Sequence, residues 1–308
     1  SIKKATGFIS LLRKRKIDII FSFLPKDTIF SGIYGKIAKV PYIFGGIRNS
    51  HVAWTKFAAL KLINNRLLSF TIANNFAAYD SSIDFGFKKN VFVIPNGIEI
   101  RTISKRLKTD KNLITIISLG RLVKQKDYDT AIKSIANLKQ ILNKKYNIKY
   151  KIVGQGPEES GIIDTIKKYD VSEEVELITN ATNIYELLDA SDIYLCTSTF
   201  EGISNSIMEA MNCGLPIVAT DAGDNSRLVI NGKNGFVTPI GAYKEISQHL
   251  ASLIESTNLK EEMGLASYDH LKENFGYETF QKKYLNLIEN ISTLQIQNGE
   301  PIFLNKIG

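Results

Sequence analysis

Between residues 111 and 240, short apolar runs alternate with stretches of helical periodicity. Leu113–Leu119 reads L-I-T-I-I-S-L. This β-branched run predicts a strand buried on both faces. In Asp129–Leu142, Ala131, Ile132, Ile135, Leu138 and Leu142 recur at helical spacing and predict a helix. Predicted strands follow at 148–153, 175–178, 192–196 and 216–220, with a short edge element at 235–239. Helices are predicted between them at 157–169, 184–190, 205–212 and 224–231. Repeated βα units imply a parallel, doubly wound sheet with right-handed crossovers. Ligands of such sheets bind beyond the carboxyl ends of the strands, where turns run into helix N-termini.

The flanks read differently. Residues 242–292 predict three helices, and the tail after Gln295 reads as irregular. The first 105 residues predict strands at 17–23, 42–44, 67–73 and 91–94, with fewer βα units than the second half. Pro95-Asn96-Gly97 makes a turn, and 101–111 is a polar, basic linker where a domain boundary belongs. The expected division is 1–105, 106–275, and a C-terminal helix and tail over 276–308.

Composition adds bounds. With 308 residues, 44% apolar and 23% charged, the chain suits two globular domains. Its two cysteines, Cys196 and Cys213, sit in apolar surroundings and suggest neither a disulfide framework nor a zinc site, which favours a reducing cytoplasm. No apolar run approaches the roughly 20 residues of a spanning helix. Charge is uneven. Residues 1–110 hold 19 Lys and Arg against 6 Asp and Glu, a net of +13, and the remainder carries −5. A basic half favours phosphate or anionic lipid. Nucleic acid is not expected, because no aromatic-basic module accompanies the charge.

Several segments carry candidate chemistry. Gly120-Arg121-Leu122-Val123-Lys124-Gln125-Lys126 leaves the strand 113–119. There Gly120 admits a ligand to the backbone, and Arg121 and Lys126 can neutralise a diphosphate, unless the loop is merely a solvated basic one. Gly154-Gln155-Gly156-Pro157 is another strand-to-helix turn, read first as turn chemistry and second as a ligand contact. Asp127-Tyr128-Asp129 spells a D-x-D that can hold a divalent metal, but at a helix start it reads as an N-cap, and no metal site is expected. Ser206-x-x-Glu209 fits a capping box. Glu201 precedes Gly202-Ile203-Ser204 at the end of a buried strand, where amides meet phosphate and carboxylates accept sugar hydroxyls.

The run F-E-G-I-S-N-S-I-M-E-A-M-N-C-G-L-P-I-V-A-T-D-A-G resembles the E-x7-E signature of retaining glycosyltransferases of family 4. Pro95-Asn96-Gly97-Ile98, the Gly120–Lys126 loop, Val153–Pro157 and Asn231-Gly232 through Gly235-Phe236 agree in order and spacing. Together they cover about residues 15–240. The resemblance implies an α/β GT-B fold: two Rossmann-like domains with a cleft between them. It implies a nucleotide-diphosphate sugar as donor, UDP-linked by preference, and no cofactor or metal. It assigns Arg121 and Lys126 to the donor diphosphate and Glu201 to the transferred sugar. Gly120, Gly202, Ile203, Ser204 and Asn205 go to backbone contacts, Glu209 to the ribose, and Thr179 and Asn180 to the base. Two departures stand out. Arg227 occupies the acidic position of the family's G-G-x-x-E. The N-terminal domain also begins late, by about two βα units or ~60 residues, as in a fragment or a compact variant.

The acceptor is expected on the basic half, at Gly45–His51, with Arg48 and His51 as its contacts. Trp54–Phe70 reads as a basic amphipathic helix, suited either to an anionic membrane or to its own domain core. The expected setting is cytoplasmic, peripheral at the inner membrane face, with a glycan or lipid-linked acceptor in cell-surface polysaccharide synthesis. The rival readings are an inactive transferase-like partner subunit and an epimerase or hydrolase on the same fold.

Overall fold

The computed structural model describes residues 2–48, 54–88, 90–103, 113–297 and 300–303. They form two compact units, 1–97 with 278–308, and 98–277.

The first unit opens with α1 (Ile2–Lys14), a helix that the pattern does not predict. Then come β1 (Ile19–Phe21), α2 (Pro25–Ala38), β2 (Tyr42–Ile47), α3 (Trp54–Arg66), β3 (Phe70–Ala73), α4 (Phe76–Asp84) and β4 (Val91–Val93). The strands pair in parallel in sequence order, β1-β2-β3-β4. Crossovers of one hand that always step the same way put their helices on one face. Phe57 and Leu60 of α3 pack there with Ala78 of α4 and Val91 of β4. Phe57 and Leu60 of α3 are thus buried in its own core, while Leu62 of the same helix is exposed. Strand β3 starts later than predicted because Leu67 and Leu68 donate back to Ile63 and finish α3.

The opposite face of this sheet is aromatic. Phe44 stacks on Phe21 and Phe70, with centroids 4.7 and 5.3 Å away. That face receives the C-terminal segment: Leu287 of α12 (Tyr277–Glu289) and Leu294 of β11 (Leu294–Gln297) pack on Phe44, Ile72 and Phe92. The tail is therefore regular over its described residues, where the sequence reads as irregular. It forms an antiparallel hairpin of β11 with β12 (Glu300–Phe303).

The second unit follows the predicted alternation closely. Its elements are β5 (Leu113–Leu119), α5 (Tyr128–Leu142), β6 (Asn147–Val153), α6 (Glu159–Lys168), β7 (Val175–Ile178), α7 (Ile184–Asp189) and β8 (Ile193–Cys196). They continue with α8 (Asn205–Asn212), β9 (Ile217–Thr220), α9 (Asn225–Leu228), β10 (Gly235–Thr238), α10 (Tyr243–Glu255) and α11 (Thr257–Phe275). Helix α9 is shorter than predicted. Asn234 takes over its end, accepting from the Ile230 amide and donating to the Leu228 carbonyl. Helix α6 starts two residues late because the Glu158 amide donates to Leu122 instead.

The six strands lie in the order β10-β9-β8-β5-β6-β7, all parallel. From β5 the chain steps outward through β6 and β7, then returns to β8 beside β5 and steps the other way. The strand order thus reverses between β5 and β8, and the crevice at such a switch point is where ligands bind. No helix among the described residues is long and apolar enough to cross a membrane.

Candidate active site

Two loops leave the sheet at the switch point, 120–127 after β5 and 197–204 after β8, and hydrogen bonds fasten one to the other. Thr197 Oγ1 donates to the carbonyls of Lys126 and Asp127, at 3.0 Å each. The Thr199 amide donates to Gln125 O at 2.8 Å, and Gln125 Nε2 donates to Phe200 O at 2.6 Å. This stitching carries Lys126 Nζ to 2.5 Å from Glu201 Oε1. Both side chains are largely covered, 16% and 11% exposed. An ion pair so shielded from water is stronger than a surface pair, and stays so in salt.

Glycines let the neighbouring turns close in. A Cβ on Gly154 would stand 1.8 Å from the Gly120 carbonyl oxygen, and one on Gly156 would stand 2.3 Å from that of Leu122. The G-x-G after β6 thus serves the approach of two backbones. At Gly223, φ is +58° and a Cβ would meet Glu201 O at 1.8 Å.

The start of β5's loop hangs from three buried phenols on three elements. Tyr150 OH lies 2.8 Å from Ser118 Oγ. Tyr194 OH accepts from the Leu119 amide at 3.3 Å and donates to its carbonyl at 3.2 Å, and Tyr128 OH donates to Gly120 O at 3.3 Å. Burial pushes all three phenols above the ordinary tyrosine value, so they stay protonated.

The D-x-D carboxylates are committed to α5. Asp127 caps it, accepting from Thr130 N and Oγ1 at 3.3 and 2.7 Å, and Asp129 pairs with Lys133. The S-x-x-E capping box at Ser206 does not form: α8 starts at Asn205, with Ser204 in the N-cap position, its side chain making no cap hydrogen bond and its Oγ lying 3.2 Å from Ser206 Oγ. Glu209 therefore lies deeper in the helix and turns its carboxyl elsewhere.

It turns it to a cavity of about 890 Å³ at the switch point, lined by Arg121, Lys126, Glu201 and Glu209 together. Gly120, Ile203, Ser204 and Asn205 contribute to the wall, and Thr179 stands at one end with Ala181 and Ile184. Asn180 and Gly202 are not on that wall, and Asn180 Oδ1 instead accepts from Gln155 Nε2 at 3.2 Å. Gln125 and Ser206, which the pattern did not single out as ligand contacts, also line the cavity, as does Gln155 of the Gly154–Pro157 turn. Gln125 and Gln155 are marked by their place in turns at the carboxyl ends of the strands, and Ser206 by its place in the first turn of α8. The volume falls in the range of small-molecule sites. Burial raises the Glu209 carboxyl above its ordinary 4.5.

Such a cavity pairs cations with carboxylates. The cations match a diphosphate, and the carboxylates accept from hydroxyls. Residues 99–270 match the model of the family "Glycosyl transferases group 1". The chain belongs to the group 1 glycosyltransferases. Among relatives of this family, an uncharacterized glycosyltransferase of Methanocaldococcus jannaschii is 30% identical over 66% of this chain and 53% of its own length. The amylovoran biosynthesis glycosyltransferase AmsD of Erwinia amylovora is 27% identical over 56% and 47%. The chain thus spans about half the length of these curated relatives. Among solved structures, Anabaena Alr3699/HepE in complex with UDP superposes with a TM-score of 0.80 at 22% identity, over 92% of this chain and 81% of that one. The lipopolysaccharide outer core galactosyltransferase WaaB gives 0.76 at 17% identity, over 94% and 79%. The α/β fold is of the GT-B type that these group 1 glycosyltransferases share.

In the first unit, Arg48 is exposed just past β2, beside a small cavity of about 40 Å³ that Asn74, Asn96 and Tyr284 also line. Burial pushes the Tyr284 phenol up to about 12, against the pull of Arg48. His51 lies outside the described residues. Arg227, the basic departure, is exposed on α9, where its carbonyl meets His270 Nε2 at 3.0 Å.

Proposed function

We propose that the second unit binds a nucleotide-diphosphate sugar at this cavity and that the protein transfers the sugar with retention of configuration to a glycan or lipid-linked acceptor. One observation carries the reading: Arg121, Lys126, Glu201 and Glu209 share a single cavity at the switch point. UDP is the favoured nucleotide, since Alr3699/HepE was solved with UDP and with UDP-glucose.

In this reading Arg121 and Lys126 hold the diphosphate, and Ile203 to Asn205 at the start of α8 present amides to it. Glu201 accepts from the transferred sugar and Glu209 from the ribose. Thr179 and Asn180 flank the base. Glycosyl transfer passes through an oxocarbenium-like state as negative charge builds on the departing diphosphate. Fixed cations and helix N–H groups lower that barrier. In this reading Glu201 binds the sugar and does not attack it: departure and attack run on one face, and the leaving phosphate takes the acceptor proton. No cofactor or metal enters this scheme. The acceptor side is Arg48 and His51. An anionic, lipid-bearing acceptor suits the +13 of residues 1–110 and the exposed Phe30, Ile33 and Ile37 of α2.

The test is a thermal-shift screen of UDP-, GDP- and ADP-linked sugars, followed by NMR of the product anomer. Stabilisation by one nucleotide sugar and a retained anomer are expected. An inverted product would overturn the mechanism. Free sugar or an epimer formed without acceptor would point to a hydrolase or epimerase.

Glu209 adds a pH dependence. Desolvation raises its carboxyl, so it protonates at a higher pH than an ordinary Glu and stops accepting hydroxyl hydrogen bonds there. Nucleotide affinity is expected to weaken as pH falls, with a midpoint above 4.5, and Glu209→Gln should flatten that limb. For the apo protein the sign is opposite. A carboxyl raised by folding favours the fold while protonated, and that contribution is lost as pH rises through the folded value. Glu209→Gln should thus bind nucleotide less tightly yet unfold no more easily at neutral pH, as calorimetry and titration would show.

A further inference from the structure

We propose that Ser198 is a positioning residue that fixes the Glu201 carboxylate so that Oε2 alone is presented to the sugar being transferred. The proposal rests on reading the cavity as a donor site. Ser198 follows β8 and is wholly buried, at 0% exposure. Its Oγ donates to Glu201 Oε1 at 2.7 Å, and Lys126 Nζ reaches the same oxygen at 2.5 Å. A carboxylate oxygen has two lone pairs, so two converging donors fill Oε1. Oε2 has no hydrogen-bond partner among the described residues and keeps its full acceptor capacity.

Ser198 is itself held from below. Its carbonyl accepts from Thr220 Oγ1 at 2.6 Å, and the Cys196 thiol donates to its Oγ at 3.5 Å. The Glu201 carbonyl meanwhile abuts Gly223. Backbone and carboxylate are thus pinned at separate points, and rotation about the last side-chain bond of Glu201 is what Ser198 arrests. Lys126 also faces the cavity, so its loss would disturb nucleotide and sugar alike. Ser198 cannot touch a nucleotide sugar. Any sugar-selective effect of removing its hydroxyl must pass through Glu201.

The test uses the full chain and the nucleotide sugar with the largest thermal shift among UDP-glucose, UDP-galactose, UDP-N-acetylglucosamine and GDP-mannose. Its parent nucleoside diphosphate is the control. A hydrogen bond to a charged group corresponds to about 10–100-fold, so Ser198→Ala is expected to lower kcat/KM by that factor. Affinity for the parent diphosphate should stay within about 2-fold. In a Glu201→Gln background the same change should cost less than about 2-fold, because coupled residues are not additive. Equal losses of diphosphate and sugar-nucleotide affinity, or a full loss in the Glu201→Gln background, would overturn the proposal. If none of the four donors shifts the protein, the donor reading fails, yet Ser198 can still be judged. In protein labelled with 13C-glutamate, Ser198→Ala should displace the Glu201 carboxylate resonance, identified by its disappearance in Glu201→Gln. An unmoved resonance sinks the claim.

Discussion

Lys126→Ala is expected to reduce sugar transfer by about 10³-fold, with a parallel loss of affinity for the nucleoside diphosphate. Removing one preorganised donor from a developing anion typically costs about 10²–10³-fold, and Lys126 carries a full charge. A second effect adds to this. Lys126 and Glu201 are 16% and 11% exposed, so the substitution leaves a mostly buried carboxylate without its ion partner. Breaking a buried pair on one side costs up to about 3–5 kcal/mol, and the residual exposure argues for the low end or below. The double variant Lys126→Ala/Glu201→Gln separates the two effects. It should recover most of the lost thermal stability and none of the lost rate. If Lys126→Ala binds the diphosphate normally, the cation does not face the phosphates.

The second large effect is expected at Gly223→Ala. The backbone there has φ +58°, and the added methyl would stand 1.8 Å from the Glu201 carbonyl oxygen. Positive φ alone costs a non-glycine residue about 1–2 kcal/mol. Here the loop must also move away from Glu201, so a total of about 3 kcal/mol or more is expected. At roughly 2–4 °C per kcal/mol for a unit of this size, the melting temperature should fall by about 6–12 °C. Activity should fall further than stability explains, because the displaced residue is Glu201 itself. Gly232→Ala is the control. Its φ is +77°, but no atom lies within 4 Å of the added Cβ. It should show the conformational cost alone, with transfer intact. Equal melting shifts for the two variants would refute the close-contact argument.

The sheet of the second unit was legible because its signals are local. Leu113–Leu119 is a largely apolar run that ends at Gly120, and α8 starts just after the Gly202-Ile203-Ser204 turn. What periodicity alone does not carry depends on distant partners. Lys126 and Glu201 are 75 residues apart and meet only because β5 and β8 are neighbours at the switch point. Ser198 carries no signal of its own, as one hydroxyl in a run of Ser and Thr. The tail looked irregular since the aromatic face that receives Leu294 and Ile296 is built by a sheet far away in the sequence. Trp54–Phe70 could be read for a membrane or for its own core because periodicity cannot tell the two apart, and Phe57 and Leu60 pack in the core. The capping-box alternative at Ser206 does not form because α8 starts at Asn205 and sets Ser206 inside its first turn.

Three hydroxyls from β6, β8 and α5 suspend three consecutive residues, Ser118, Leu119 and Gly120. A support made of single oxygen atoms can be loosened in graded steps. Phenylalanine in place of each tyrosine deletes one tether while leaving ring and volume unchanged. The seven combinations of such replacements would form a ladder of progressively slacker loops on one scaffold, along which turnover could be plotted against rigidity.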